Sequence, residues 1–363
     1  MEDEKFNSLV TLIRRALTIC GFDILNEEWR LHLWSLVTIV VVLTFPLSVA
    51  RLLILQPNSL DLIAEGFALL ITDVGAMIAL LDYVYNRKHY RAIMEDIRSR
   101  RYNYVGPEID ALFDESFNRN IFYVKFLYTL YISSSVSYLT LPFVLPNEKK
   151  FNLPLPGILP FLSTDSPFFY FGNIGYHVFV VIIVQHIFSA QCSILVTSVI
   201  SCCCQIDALK IMVVDFGKII NDPTSSPRII SEAFTNVFLH HSSTKDFIAW
   251  IQRQYAVVYL SIFLVCGGIV TTCLSVLSEQ LISPCNFLMI SGFFSALVHC
   301  YFGNALLITN DRLPDVVYEI NWEELPVSKQ KDFKFFLANS QLPAQLDGML
   351  LPLTMNTFIQ VGF

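Results

Sequence analysis

The chain has 363 residues, of which 54% are hydrophobic and only 15% charged, with a formal net charge of −7. Soluble proteins carry about 25% charged residues, so this composition excludes an ordinary soluble enzyme, and the sign of the charge argues against nucleic acid as a partner. The apolar residues are gathered into runs of the roughly 20 that cross a bilayer, and the expectation is an all-α membrane protein in contact with membrane lipid.

In chain order, residues 4–20 place Phe6, Leu9, Val10, Ile13, Leu17 and Cys20 on one helical face. This reads as an amphipathic helix that lies on the membrane or tucks against a bundle. The start, MEDEKFNSLV, lacks the basic, apolar and cleavage regions of a secretory signal. A first span is expected from about Leu33 to Leu55, kinked near Pro46. A second runs from about Leu62 to Tyr85 and contains Glu65, Asp73 and Asp82. Asp73 falls mid-span, so it should face the bundle interior or a cavity rather than lipid. The following RKHYRAIMEDIRSRR reads as a solvated inner helix.

A third span runs from about Phe122 to Val144. Residues 145–167 hold Pro146, Pro154, Pro156, Pro160 and Pro167, which rule out a span and indicate a compact loop over the outer face. The stretch 168–204 is too long for a bilayer and is expected to project inward as helix. One-sided helices then surround the break at Asp222–Pro227, using Leu209, Met212, Val213, Phe216 and Ile220 before it and Ile230, Phe234, Val237 and Phe238 after it. Fifth and sixth spans are expected from about Tyr255 to Leu281 and Asn286 to Leu307. The seventh, Gln345 to Phe363, has about 19 residues and is marginal for crossing.

Orientation follows from the basic residues, which collect on the cytoplasmic side of membranes. With the N-terminus inside, all of the twenty-four Lys and Arg except Arg51, Lys125, Lys149 and Lys150 fall on inner segments. Seven transmembrane helices then put the N-terminus in the cytoplasm and the C-terminus outside.

No catalytic arrangement, metal site or cofactor motif stands out. His177, His186 and His299 lie in spans without ligand-type partners at i+4, so they read as packing residues. His240 and His241 precede Ser243 and Thr244 in what reads as an inner loop with a helix N-cap. Cys202, Cys203 and Cys204 read as small packing residues, with palmitoylation as the alternative. The informative constellation is aromatic, in the outer halves of the spans: Phe67, Leu70 and Ile71 on the second, Ser135 and Tyr138 on the third, Phe169, Phe171, Tyr176 and His177 on the fourth, Phe287, Ile290 and Phe294 on the sixth. Bundled together, these side chains would enclose an apolar cavity with a few hydroxyls, the usual form of a small-molecule pocket. For any one of them, a lipid-facing or core role is the competing assignment.

The last sixty residues carry a resemblance. The entry Tyr301-Phe302-Gly303-Asn304, the Tyr318 to Trp322 spacing in VYEINWEELP, the basic-aromatic KDFKFFL, the Gln341-Leu342-Pro343 step and the terminal Thr357-Phe358 occur in order. The series resembles the C-terminal region of insect odorant receptors, the seven-span ligand-gated channels. The resemblance implies three parts: a ligand-binding transmembrane bundle over 1–300, cytoplasmic anchor helices over 301–344, and a last, pore-lining span over 345–363. It implies a small volatile apolar or aromatic odorant in the outer-leaflet pocket, and an anchor using Tyr318, Trp322, Phe333, Phe336 and Leu337. It further implies a cation pore lined by Thr354, Thr357 and Gln360, and a heterotetramer with a shared odorant receptor co-receptor in the plasma membrane of a sensory neuron. The family's pattern extends about a dozen residues past the position of Phe363, so no gate residue is assigned. A gustatory-type channel of the same fold ranks second, because its last-span signature is not matched by Thr357-Phe358-Ile359-Gln360. A G-protein-coupled receptor is opposed by the charge bias, and a transporter by the lack of an internal repeat.

Overall fold

In the computed structural model the described residues are 2–56, 60–101, 106–144, 153–277, 284–348 and 351–360. The first part of the proline-rich segment, the outer end of the fifth span and residues 361–363 lie outside them. Ten α-helices account for nearly all of the described chain: α1 (Glu2–Ile19), α2 (Leu33–Leu55), α3 (Leu60–Arg101), α4 (Pro107–Val144), α5 (Phe169–Asn221), α6 (Pro227–Leu277), α7 (Pro284–Asp311), α8 (Leu313–Glu319), α9 (Val327–Ser340) and α10 (Met355–Gln360). A 3₁₀ turn at Trp322–Glu324 joins α8 to α9.

The helix α2 shows what solvent the fold is built for. Its buried stripe includes Ser35, Thr38 and Ser48, while Leu36, Val40, Leu43 and Leu47 are exposed. A soluble helix carries polar residues on its exposed face instead. Among the described residues α2, α3, α5, α6 and α7 are long and apolar enough to cross a membrane, and α4 packs along α5 beside them. The chain is a multi-pass helical membrane protein. Pro46 lies inside α2 without ending it.

Several segments that read as separate pieces are continuous. Span and charged inner helix merge in α3, and the fourth span runs on into the Leu209–Ile220 face as one 53-residue helix, α5. The Ile230–Phe238 face and the fifth span likewise join in α6, so His240 and His241 sit within a helix rather than in a loop. Nothing between these pieces breaks the helix, so the amphipathic parts extend the spans inward. The break at Asp222–Pro227 is kept: Asp222 accepts from the backbone N–H of Thr224 at 2.9 Å, and Pro227 opens α6.

Tucked against α4 and α5, α1 buries Phe6, Leu9, Ile13 and Leu17. It ends at Gly21, whose φ of 76° is open to glycine without steric cost. The carbonyl of Gly21 receives the Ser35 hydroxyl at 2.6 Å and the Trp29 indole at 3.0 Å. A bidentate pair from Arg14 to Asp23 holds the turn.

The inner ends pack as an aromatic knot. The ring of Phe333 stacks on Trp322 at 5.9 Å and meets Phe234, while Phe336 contacts Phe234 and His241. Cys202, Cys203 and Cys204 are buried free thiols of α5, in keeping with small packing residues.

The last span departs from expectation. A helix from Gln345 is replaced by a short antiparallel turn in which Asp347 pairs with Pro352, and the Leu353 N–H donates to the Leu346 carbonyl at 2.8 Å. Only Met355–Gln360 is helical among the described residues. Pro352 has no N–H for a helix and pushes Leu351 out of the helical region. The segment is therefore a turn followed by a short helix packed on α7.

Candidate functional site

A cavity of about 110 Å³ lies between the outer parts of α2, α3, α4, α5 and α7. Its apolar wall comes from Phe45 of α2, Leu69 of α3, Val180, Val184 and Phe188 of α5 and Leu288 of α7. A second space of about 50 Å³ shares Thr72, Tyr131, Phe188, Leu288 and Ser291 with it and reaches α6 at Val265 and Cys266. The two spaces share part of one wall, the first lying under the outer loop and the second nearer α6.

The loop supplies the roof. Leu155 lines the cavity, and its N–H donates to His177 Nδ1 at 3.2 Å while His177 Nε2 donates to the Gly157 carbonyl at 3.1 Å. The Ile158 N–H donates to the Ser48 carbonyl at 2.9 Å and the Leu159 N–H to Asn173 Oδ1 at 2.8 Å. Arg51 donates to the carbonyls of Leu159 and Leu162. This proline-rich segment is thus fastened to α2 and α5 over the cavity, in keeping with a compact outer loop.

The polar groups of the wall divide into two kinds. The hydroxyls have partners within the protein: Thr72 donates to Ala68, Ser134 to Phe287, Ser135 to Tyr131 and Ser291 to Leu288 carbonyls. Tyr131 donates to the Ser295 hydroxyl at 3.1 Å and Tyr138 to Glu65 at 2.8 Å. Two side chains differ. Both carboxylate oxygens of Asp73, and both the oxygen and the nitrogen of the Gln185 amide, are buried without a hydrogen-bond partner. Asp73 is 1% exposed and Gln185 6%. Asp73 therefore faces a cavity, where its mid-span position placed it.

The residues singled out from sequence are distributed as follows. Ser135 and Tyr138 line the cavity. His177 is a strut of the roof, Tyr176 bonds to the Thr44 hydroxyl at 3.0 Å, and Phe169 is buried beneath the loop with Leu153 and Ile158. Ile71 and Leu70 pack into the helix interfaces. Phe67, Phe171 and Ile290 are exposed on the outer surface. Phe294 is half-buried against Phe293, and Phe287 contributes its carbonyl to Ser134. The aromatics at span ends lie where rings gather at a membrane interface. The wall itself lies deeper, and Gln185, Phe188 and Tyr131 were not singled out. An intramembrane amide such as Gln185 was the available signal, by the same cost argument that marked Asp73.

Of the inner residues, Phe333 and Phe336 are buried within this chain, Trp322 and Leu337 are half-buried, and Tyr318 is exposed. In the terminal segment Thr357 is buried and its hydroxyl shares a hydrogen bond with that of Thr354 at 3.0 Å, whereas Gln360 is exposed. Among the described residues no His, Cys, Asp and Glu cluster is suited to a metal ion.

A family model described as 7tm Odorant receptor matches residues 59–362. Two solved structures share the fold. The insect olfactory receptor OR5 from Machilis hrabei in complex with eugenol superposes with a TM-score of 0.76 at 12% identity, covering 99% of this chain and 94% of that one. The same receptor alone gives 0.74 at 12% identity, covering 98% and 93%. Comparison with curated proteins gives no significant match.

Proposed function

Since the chain belongs to the 7tm odorant receptor family, we propose that its cavity receives a small, volatile, mainly apolar or aromatic odorant and that binding there opens a cation path shared with other subunits. The observation that carries this reading is the roofed, largely apolar compartment between α2, α3, α4, α5 and α7. The eugenol complex of a receptor with the same fold supports the ligand class. An odorant acts by stabilising one arrangement of these helices over another, and the shift is limited by its difference in affinity for the two.

The chain works as the ligand-tuned subunit of a non-selective cation channel, in a heterotetramer with a shared co-receptor, in the plasma membrane of a sensory neuron. Tyr318, Val327 and Phe335 are exposed apolar residues on the inner module and supply the subunit contact, while Phe333 and Phe336 hold that module to its own subunit. Asp315, Glu319, Glu323 and Glu324 give the inner exit a negative field that favours cations. The terminal segment faces the pore through Thr354 and Gln360, while Thr357 is buried within the chain.

Expressing this chain with the co-receptor and recording currents across a volatile panel tests the reading. Odorant-evoked cation current is expected from the pair and from neither partner alone with this chain's tuning. Absence of any ligand-evoked current from the pair, or full current from this chain by itself, would sink it.

A further inference from the structure

The cavity is built for more than an oily shape. In a largely apolar wall, the two polar side chains left without partners are Asp73 and Gln185, at 1% and 6% exposure. Leaving a buried polar group unbonded is unfavourable, and native structures rarely tolerate it without a reason. The lining hydroxyls have partners in the protein, so they do not serve these two. No lysine or arginine appears among the described lining residues. What is missing from this site is therefore a donor for the carboxyl group, with an acceptor or donor beside it for the amide.

We propose that the preferred ligand carries a hydrogen-bond-donating head, an amine or a hydroxyl, on an apolar body of about one ring, and that Asp73 receives that head with Gln185 beside it. The inference rests on the cavity being the odorant site and names the chemistry it selects. The size follows from the space of about 110 Å³ that Asp73 and Gln185 line, of the same order as the roughly 150 Å³ engineered cavity that admits benzene. The apolar body meets Phe45, Phe188 and Leu288, and no covalent step is involved.

Benzylamine, benzyl alcohol and ethylbenzene share one heavy-atom skeleton and differ in the terminal group. Their binding to the purified full chain in lipid nanodiscs, read by ligand-dependent melting and by competition, isolates the head. One or both of the donor-bearing compounds should bind roughly ten- to a hundredfold more tightly than ethylbenzene, the range expected for a hydrogen bond to a charged group. Asp73→Leu should bring all three within about threefold and leave ethylbenzene bound as well as before, with no fall in the unliganded melting temperature, because it removes an orphaned polar group. Asp73→Asn keeps an acceptor but not a charge, so it should abolish a preference for the amine and spare one for the alcohol, telling the two heads apart. Equal binding of all three by the wild type, or an unchanged preference in Asp73→Asn and Asp73→Leu, overturns the proposal. If none of the three binds while other volatiles do, this inference fails and the receptor reading stands. If no volatile binds at all, the receptor reading fails first and takes the inference with it.

Discussion

Gly303 stands in the aromatic-glycine entry that helped identify the C-terminal region, and its place in α7 accounts for the residue type. A Cβ there would run into the Leu353 carbonyl oxygen and lie 2.6 Å from Leu353 Cβ. The terminal turn packs on α7 because this position has no side chain. Gly303→Ala should cost about 1–3 kcal/mol, the usual range for overpacking, and loosen residues 351–360. Faster proteolysis of the C-terminal segment with α1–α6 intact would show it; unchanged cleavage would count against this close approach. At the other end of the inner module, burial pushes His240 and His241 down to about 4, with Lys245 and His240 adding to the effect on His241. The unfolded chain binds protons here between pH 6.5 and 4 that the folded chain refuses. Stability from these two groups is therefore complete above pH 6.5 and falls as pH drops toward 4. Melting of the purified protein should decline over that window, and less so in a His241→Phe variant.

Among the elements, the roof over the cavity is the most consequential. Residues 153–168 have no regular structure, yet Leu153, Leu155 and Ile158 are buried and backbone groups that a helix would satisfy internally are bonded to Ser48, Asn173 and His177. Prolines make this possible by holding an extended path with fewer N–H groups to satisfy. His177 serves both a donor and an acceptor of the loop, so its loss leaves two buried backbone groups unpaired, at about 1–3 kcal/mol each. His177→Ala should accelerate amide exchange across 155–158 and speed odorant release several-fold. Protection equal to wild type would mean that the loop is held by Arg51 and Asn173 alone. The inner module gives a different lesson: its strongest aromatic positions, Phe333 and Phe336, turn inward onto Phe234 and Trp322, so the face left exposed is the opposite one, with Phe335.

For the molecule as a whole, the basic residues and the exposed apolar stripes set how it sits. The Lys and Arg of α1, of the inner half of α3 and of α6 and α9 share one end of the bundle, and the 153–168 roof covers the other. Epitope tags in intact cells should be shielded at the N-terminus until permeabilisation and accessible at the C-terminus. An accessible N-terminal tag on intact cells would reverse the orientation and with it the outer placement of the cavity. A second whole-molecule property is the length of α3, α5 and α6: each runs as one unbroken helix from the cavity region toward the inner end of the bundle.

By itself the sequence determined the solvent, the helical class, the boundaries of the first span to the residue, the outer proline loop and the interior setting of Asp73. These follow from local rules: a bilayer demands runs of apolar residues, closely spaced prolines break a helix, and an acidic group in hydrocarbon must find an interior. Tertiary structure alone decided which side chains face the cavity, which of its polar groups are left unpaired, and that the stretch from Gln345 turns back before its helix begins. Those outcomes depend on how neighbouring helices are rotated and how deeply they interlock, and a one-dimensional hydropathy pattern carries no record of either.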